Sequence, residues 1–366
     1  MSEHQPSWAA LLAASAATAA LTSAAMVALL RKTPSPPPPP PGSKRPAGSS
    51  VVDLRALPAS DVPAVLRVES YLSADSMQSF AHAAIFRDCP HVFALLDAIH
   101  PFLERFFAEQ RWRQRLDASA SVTTLSPDHE SKACPSYLAV SARTRLVVAS
   151  DATFRPDRII NRSAADRELV VLSGAVVLGG TLDVTDGCIL LGDGVVVEPY
   201  AVVKGPSVIE SQSTLRSGAY LRGDVLVGRG VVLRGELKNA LVLDRAELCH
   251  PGYCGDSICG ARSHFGNQVT TANLNLFTSG AVLVDVEQAD GRRVRYNTGR
   301  RKIGVVLGDD SQLGCSAVTD PCTLLLPRTV AYPLARLSKG VYGPDVIIKN
   351  KPMEKGVLEI ARVRRS

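Results

Sequence analysis

Between Arg222 and Lys302 the 366-residue chain gathers side chains able to do chemistry: Glu236, Lys238, His250, Tyr253, His264, Asn267 and Asn273, followed by the basic run Arg300-Arg301-Lys302. The excess of 41 Lys+Arg over 35 Asp+Glu, a formal charge of +6, favours an anionic small molecule. It is too diffuse to argue for nucleic acid, and 5% aromatic residues give little to stack bases on. The basic run is either a solvated face or an anion clamp. No Cys-x-x-Cys pair occurs among the eight cysteines, so neither a zinc ribbon nor a thiol-redox site is indicated. Cys249, Cys254 and Cys259 are more simply small inward hydrophobes than a metal cluster. A three-histidine zinc site lacks ligands, because only His250 and His264 fall beyond residue 150. No metal is expected.

A repeat must position these residues. Every sixth residue from Leu191 is aliphatic: Leu191, Val197, Val203, Ile209, Leu215, Leu221, Val227 and Leu233. Neither a helix nor an ordinary hairpin sheet has that period. A chain that bends every six residues lays short parallel strands on a triangular coil, with the repeat residues stacked inward. The expected fold is therefore mainly β, a parallel β-helix over 150–345. Gly192 and Gly228 follow repeat residues, as do Gly255, Gly260, Gly266, Gly308 and Gly314, where glycine would tolerate the bend. Cys254 to Cys259 is a five-residue step. The period lapses between Asn275 and Arg301, where AVLVDVEQADGRRVRY reads as a hairpin turning at Asp290-Gly291. Such an excursion supplies a wall that a bare convex prism lacks. Lys238 and His250, 12 residues apart, fall on different faces of one prism, so a site using both needs two subunits.

The N-terminal third reads differently. Residues 8–30 are uncharged and followed by Arg31-Lys32, so 1–33 is either a membrane anchor, with the following domain cytoplasmic, or a cleaved targeting segment. Six prolines, Pro36 to Pro41, make 34–50 a stiff spacer. Residues 51–135 are expected to form a small helical module packed on the β domain, with Pro101 kinking or splitting its second helix. His82, His91 and His100 are spaced too far apart for one metal and read as solvated or capping residues. A basic tail covers 346–366.

The stretch E236-L-K238, H250-P-G-Y253-C-G-D256 and F265-G-N-Q-V-T-T-A-N273 resembles the left-handed β-helix hexapeptide acyltransferases, most closely their glucosamine-1-phosphate N-acetyltransferase domain. It shares that domain's spacing from Lys to His, from His to Tyr and from His to Asn. The segment T298-G-R-R-K302-I-G-V-V-L-G-D-D310 resembles archaeal-type members. The likeness covers about 165–340. The chain departs at Gly266-Asn267-Gln268-Val269-Thr270 and at Ser279, where the family carries a Lys that Lys302 or Arg301 would replace.

The resemblance implies a left-handed coil, a homotrimer, and acetyl-CoA-dependent N-acetylation of an amino-sugar phosphate without a metal. His250 would be the general base, a task suited to an imidazole, with Glu236 orienting it. Arg222 and Lys238 would hold the phosphate, Tyr253 and Asn273 the sugar and acyl group. Arg300 and Arg301 would meet the cofactor, and Lys302 the substrate. The alternatives are a non-catalytic trimeric module that binds sugar nucleotides or scaffolds a nucleotidylyltransferase, and an acyltransferase with another donor or acceptor.

Overall fold

A computed structural model of the chain describes residues 51–126, 138–276, 279–288, 290–350 and 358–362. The expected anchor at 8–30 and the proline spacer lie outside them. Among the described residues no helix is long and apolar enough to cross a membrane.

The fold is a left-handed parallel β-helix of about ten turns. Each turn carries three short strands, and successive turns pair in parallel, as in Val202–Lys204 with Tyr220–Arg222 and Ser207–Ile209 with Val225–Val227. All eight hexad residues are fully buried, stacked in three inward columns, one per face. Beyond Leu233 the columns continue through Leu237, Val242, Leu248, Cys254, Cys259 and Phe265, then Leu307, Leu313, Leu325 and Leu337. The prism starts earlier than residue 150, with Leu138–Val140 and Thr144–Val148 already pairing in parallel with later strands. At its far end Val346–Asn350 pairs antiparallel with Leu358–Arg362, so strand structure extends into the expected tail.

The glycines after repeat residues serve a different purpose from the expected one. Gly192 does not adopt a left-handed conformation; a Cβ there would stand 2.9 Å from both Ile209 O and Ser211 N of the next turn. It is glycine because backbones approach closely. Left-handed positions occur at each corner, and in the column at the corner after the second face most are not glycine: Gln212, Gly230, Arg245, Arg262, Asp310 and Arg328.

The three faces differ in what covers them. On the second face (Ile189–Leu191, Ser207–Ile209, Val225–Val227 and their neighbours) the outward residues are also apolar and fully buried: Val170, Leu190, Val208, Leu226, Leu241, Ile258, Val306 and Leu324. Residues 54–115 cover them as a roof of short 3-10 turns, the helix Ala74–Ser79 and the longer helix Ala94–Ala108. The helices expected within 51–135 are thus largely broken up into short turns. Pro58 and Pro63 stand at the starts of two 3-10 turns, where a missing N–H costs nothing. Pro101, by contrast, neither ends nor splits the helix Ala94–Ala108. The bond it removes would reach Asp97, and both residues are exposed, so solvent meets the freed carbonyl.

The roof is fastened by polar ties. His82 is buried, not solvated, and its Nε2–H donates to Glu210 Oε1 at 2.9 Å. Arg115 forks onto Glu210 and Asp193. His91 is a cap, accepting from Ala94 N at 3.1 Å. His100 Nδ1 donates to Asp224 at 2.6 Å. No group of His, Cys, Asp and Glu among the described residues could hold a metal ion.

The excursion after Thr271 forms the expected hairpin, Leu283–Glu287 with Arg293–Asn297. Its loop is longer than a two-residue Asp-Gly turn, since Gln288 N bonds to Arg292 O. Val51–Asp53 adds a third strand to it. Val284, Val286 and Tyr296 pack into the roof's apolar cluster, so the wall and the roof are one layer.

Candidate functional site

On the first face the inward column Leu221, Leu237, Cys254 is flanked by two outward columns. One stacks Tyr220, Glu236, Tyr253 and Thr270. The other carries Arg222, then Lys238 paired with Gly255. Alternation along a strand therefore brings Arg222, Glu236, Lys238 and Tyr253 to one outer surface. Arg222 Nη1 donates to Glu236 Oε1 at 2.6 Å.

The turns are shortened at this place. Four residues carry the chain from inward Leu233 to inward Leu237, and five from Leu237 to Val242, where a full-length side takes six. Gly235 makes the first short corner; a Cβ there would meet Gly252 O at 2.9 Å and His250 O at 3.3 Å. His250 lies at the next turn's full-length corner, beside that cut. It leads into the first face from one edge, and Lys238, paired with Gly255, stands at the opposite edge of that face. Glu236, His250 and Tyr253 border one small cavity.

The second short corner is built by Asn239 and Asp256, both left-handed at φ 47° and 48°, a conformation that Asn and Asp tolerate. Asp256 is buried. It accepts from Asn239 Nδ2 at 3.0 Å, Asn273 Nδ2 at 2.7 Å and Arg300 Nη2 at 3.3 Å. Asn273 also donates to Tyr253 Oη at 3.0 Å. Gly255 permits this arrangement: a Cβ there would run into the Tyr253 hydroxyl and approach Asn273 Nδ2 to 2.9 Å. Burial pushes the Tyr253 phenol above its ordinary pKa, the Asn273 hydrogen bond opposes that shift, and the Asp256 charge adds to it. The group is a neutral phenol at physiological pH.

The expected residues do not all meet. Arg222, Glu236, Lys238, Tyr253 and Asn273 share a patch on consecutive turns. His250 borders the patch, yet Glu236 is engaged by Arg222, and among the described residues no hydrogen bond joins it to His250. Arg300 does not stand free for a cofactor. Its side chain is 15% exposed and is spent on Asp256 and on Asp97 of the roof helix. Arg301 and Lys302 are exposed. His264 stays outside, 3.4 Å from Glu247. Asp256, Asn239 and Asp97 were not singled out from sequence, although Asp256 closes the quoted H250-P-G-Y253-C-G-D256 stretch and the short step beside it was visible.

No protein-family profile matches the chain. Curated relatives do. Bifunctional protein GlmU of Synechococcus elongatus is 27% identical over 206 residues, 53% of this chain and 36% of that protein. The chain is similar to GlmU. A Methanococcus maripaludis GlmU is 34% identical over 79 residues, covering 22% of this chain and 18% of its own length. The bifunctional sugar-1-phosphate nucleotidylyltransferase/acetyltransferase of Sulfurisphaera tokodaii is 27% identical over 168 residues, 40% of each chain. The matches thus span well under half of these relatives' lengths. With the β-helix, they bear out the resemblance to hexapeptide-repeat acyltransferases and relate the chain to transferases of sugar-nucleotide biosynthesis.

Proposed function

We propose that the chain transfers an acetyl group from acetyl-CoA to the amine of an amino-sugar phosphate of the glucosamine-1-phosphate type. The observation that carries this reading is the first-face patch: Arg222 and Lys238 on neighbouring strands, with Tyr253 on the next turn and Asn273, hydrogen-bonded to it, on the turn after, and His250 at the edge of the patch. The two cations suit a phosphate. As the amine nitrogen attacks the thioester carbonyl and the C–N bond forms, His250 takes a proton from that nitrogen. The C–S bond then breaks, and coenzyme A leaves as the thiol, its sulfur receiving that proton from His250. Backbone amides near Asn273 would stabilise the developing oxyanion. The reaction needs no metal or covalent enzyme intermediate. Arg301 and Lys302, exposed on the returning arm of the excursion, are the cations available to the coenzyme phosphates.

The crevice is completed by a neighbouring copy in a homotrimer. The roof occupies the second face, which leaves the first and third faces for contact. Tyr200, Tyr332 and Leu334 are exposed large side chains along the corner between those two faces, the same corner as His250; they support an approach there. Free-thiol release from acetyl-CoA with glucosamine 1-phosphate, lost in His250→Ala, tests the reading. A folded trimer without turnover on any amino-sugar phosphate would reject it.

One observation favours a second reading, a non-catalytic trimeric module that binds sugar nucleotides or scaffolds a nucleotidylyltransferase. Among the described residues no hydrogen bond or ion pair holds the His250 ring. Ligand binding unchanged by His250→Ala, without thiol release from any donor, would select this module.

A further inference from the structure

We infer that Asp256 is a positioning residue for the proposed site, and that the roof helix reaches the site through it along Asp97, Arg300, Asp256, Asn273 and Tyr253. The inference rests on the acyl-transfer reading for its kinetic consequence only. Its structural content is the hydrogen-bond chain itself.

Asn273 has one side-chain donor group, and both of its hydrogens are used, towards Asp256 Oδ2 and Tyr253 Oη. A carboxylate can only accept, so Asp256 fixes which way the amide is turned. Asn273 therefore offers a carbonyl oxygen, not an N–H, to whatever occupies the patch. A buried carboxylate needs a counter-charge, and Arg300 supplies it from a nearly buried position. The second guanidinium nitrogen pairs with Asp97, on the roof helix Ala94–Ala108. Asn239 supplies the remaining donor from the shortened corner above. The roof is fastened to the prism beside this chain by a separate tie, His100 with Asp224, which touches none of the five residues. A layer outside the coiled repeat thus sets the orientation of a side chain inside the candidate site.

The test compares Asp256→Asn, which keeps a residue suited to the left-handed corner, with Arg300→Met, Arg300→Lys, Asp97→Asn and His100→Gln. All are made in the full chain and assayed by thiol release with acetyl-CoA and glucosamine 1-phosphate. Misplacing a positioned group lowers kcat more than it weakens binding, so Asp256→Asn and Arg300→Met are expected to lose about 10- to 100-fold in kcat with KM changed less than about twofold. Asp97→Asn loses less in the same direction, Arg300→Lys recovers part of the loss, and His100→Gln keeps wild-type kcat. Equal losses in His100→Gln and Arg300→Met would reduce the effect to docking of the roof and overturn the proposal, as would a pure KM effect. Should the wild-type chain prove inactive, the acyl-transfer reading fails by itself. The positioning claim is then read from the 13Cζ resonance of Tyr253, assigned by its loss in Tyr253→Phe. In Arg300→Met its titration midpoint should move upward as the Asn273 hydrogen bond is released; an unmoved midpoint refutes the proposal.

Discussion

Glu210 is the sharpest place to challenge the account of how the roof is held. Its carboxylate is 2% exposed, beneath the roof, between His82 and Arg115. Burial alone would raise its pKa, but the hydrogen bonds and charges of His82 and Arg115 outweigh that and bring it from an ordinary 4.5 down to about 2. A depressed carboxyl pKa contributes stability that is present above the unfolded value and disappears as pH falls towards the folded one. At about 1.4 kcal/mol per unit, the contribution at pH 7 is about 3 kcal/mol. Glu210→Gln keeps the shape and removes the charge, so it should cost about that much at pH 7. By pH 3 the wild type has surrendered about 2 kcal/mol of the advantage, and the gap should narrow to roughly 1 kcal/mol. Urea unfolding followed by Trp112, a fully buried roof residue, in a Trp8→Phe background measures both. A gap absent at pH 7, or undiminished at pH 3, would refute the reasoning.

Leu226→Ala, beneath the roof and fully buried, should lose about 2–5 kcal/mol in the same urea assay, like an inward core residue although it points out of the prism. Gly192→Ala places a methyl against backbone 2.9 Å away that cannot rotate aside, and should cost about 1–3 kcal/mol by thermal or urea unfolding. Gly255→Ala should leave the melting temperature nearly unchanged. It should lower kcat/KM for the amino-sugar phosphate about tenfold, because the Tyr253 hydroxyl and Asn273 must move apart.

The prism was legible because its signal is one-dimensional. Each of the eight hexad residues from Leu191 to Leu233 is a local choice, and all eight prove fully buried. The roofed second face was also written in the sequence. Its strands carry an apolar outward residue, as Leu190 between Ile189 and Leu191 or Val208 between Ser207 and Ile209, whereas first-face strands such as Val202–Lys204 carry a polar outward residue. A search for inward periodicity follows only the repeat residue, such as Leu191 or Val203, and passes over that difference. The roof's internal form was less legible, since prolines 58, 63 and 101 have opposite effects that depend on where each falls in a turn. The patch from Arg222 to Asn273 was found through spacing along stacked turns. The tie from Asp97 to Arg300 was not, because two residues distant in the chain meet only once the roof has folded over the coil.

Solenoids usually vary freely in length, because each layer meets only the layers above and below. The roof removes that freedom here. His82, Arg115 and His100 clasp the prism at heights marked by Glu210, Asp193 and Asp224, and Asp97 does so through Arg300 at Asp256. Duplicating or deleting a repeat anywhere between Asp193 and Arg300 would throw those clasps out of step. The non-repetitive lid acts as a ruler for the repetitive body, and the number of layers beneath it can drift only if both are rewritten together.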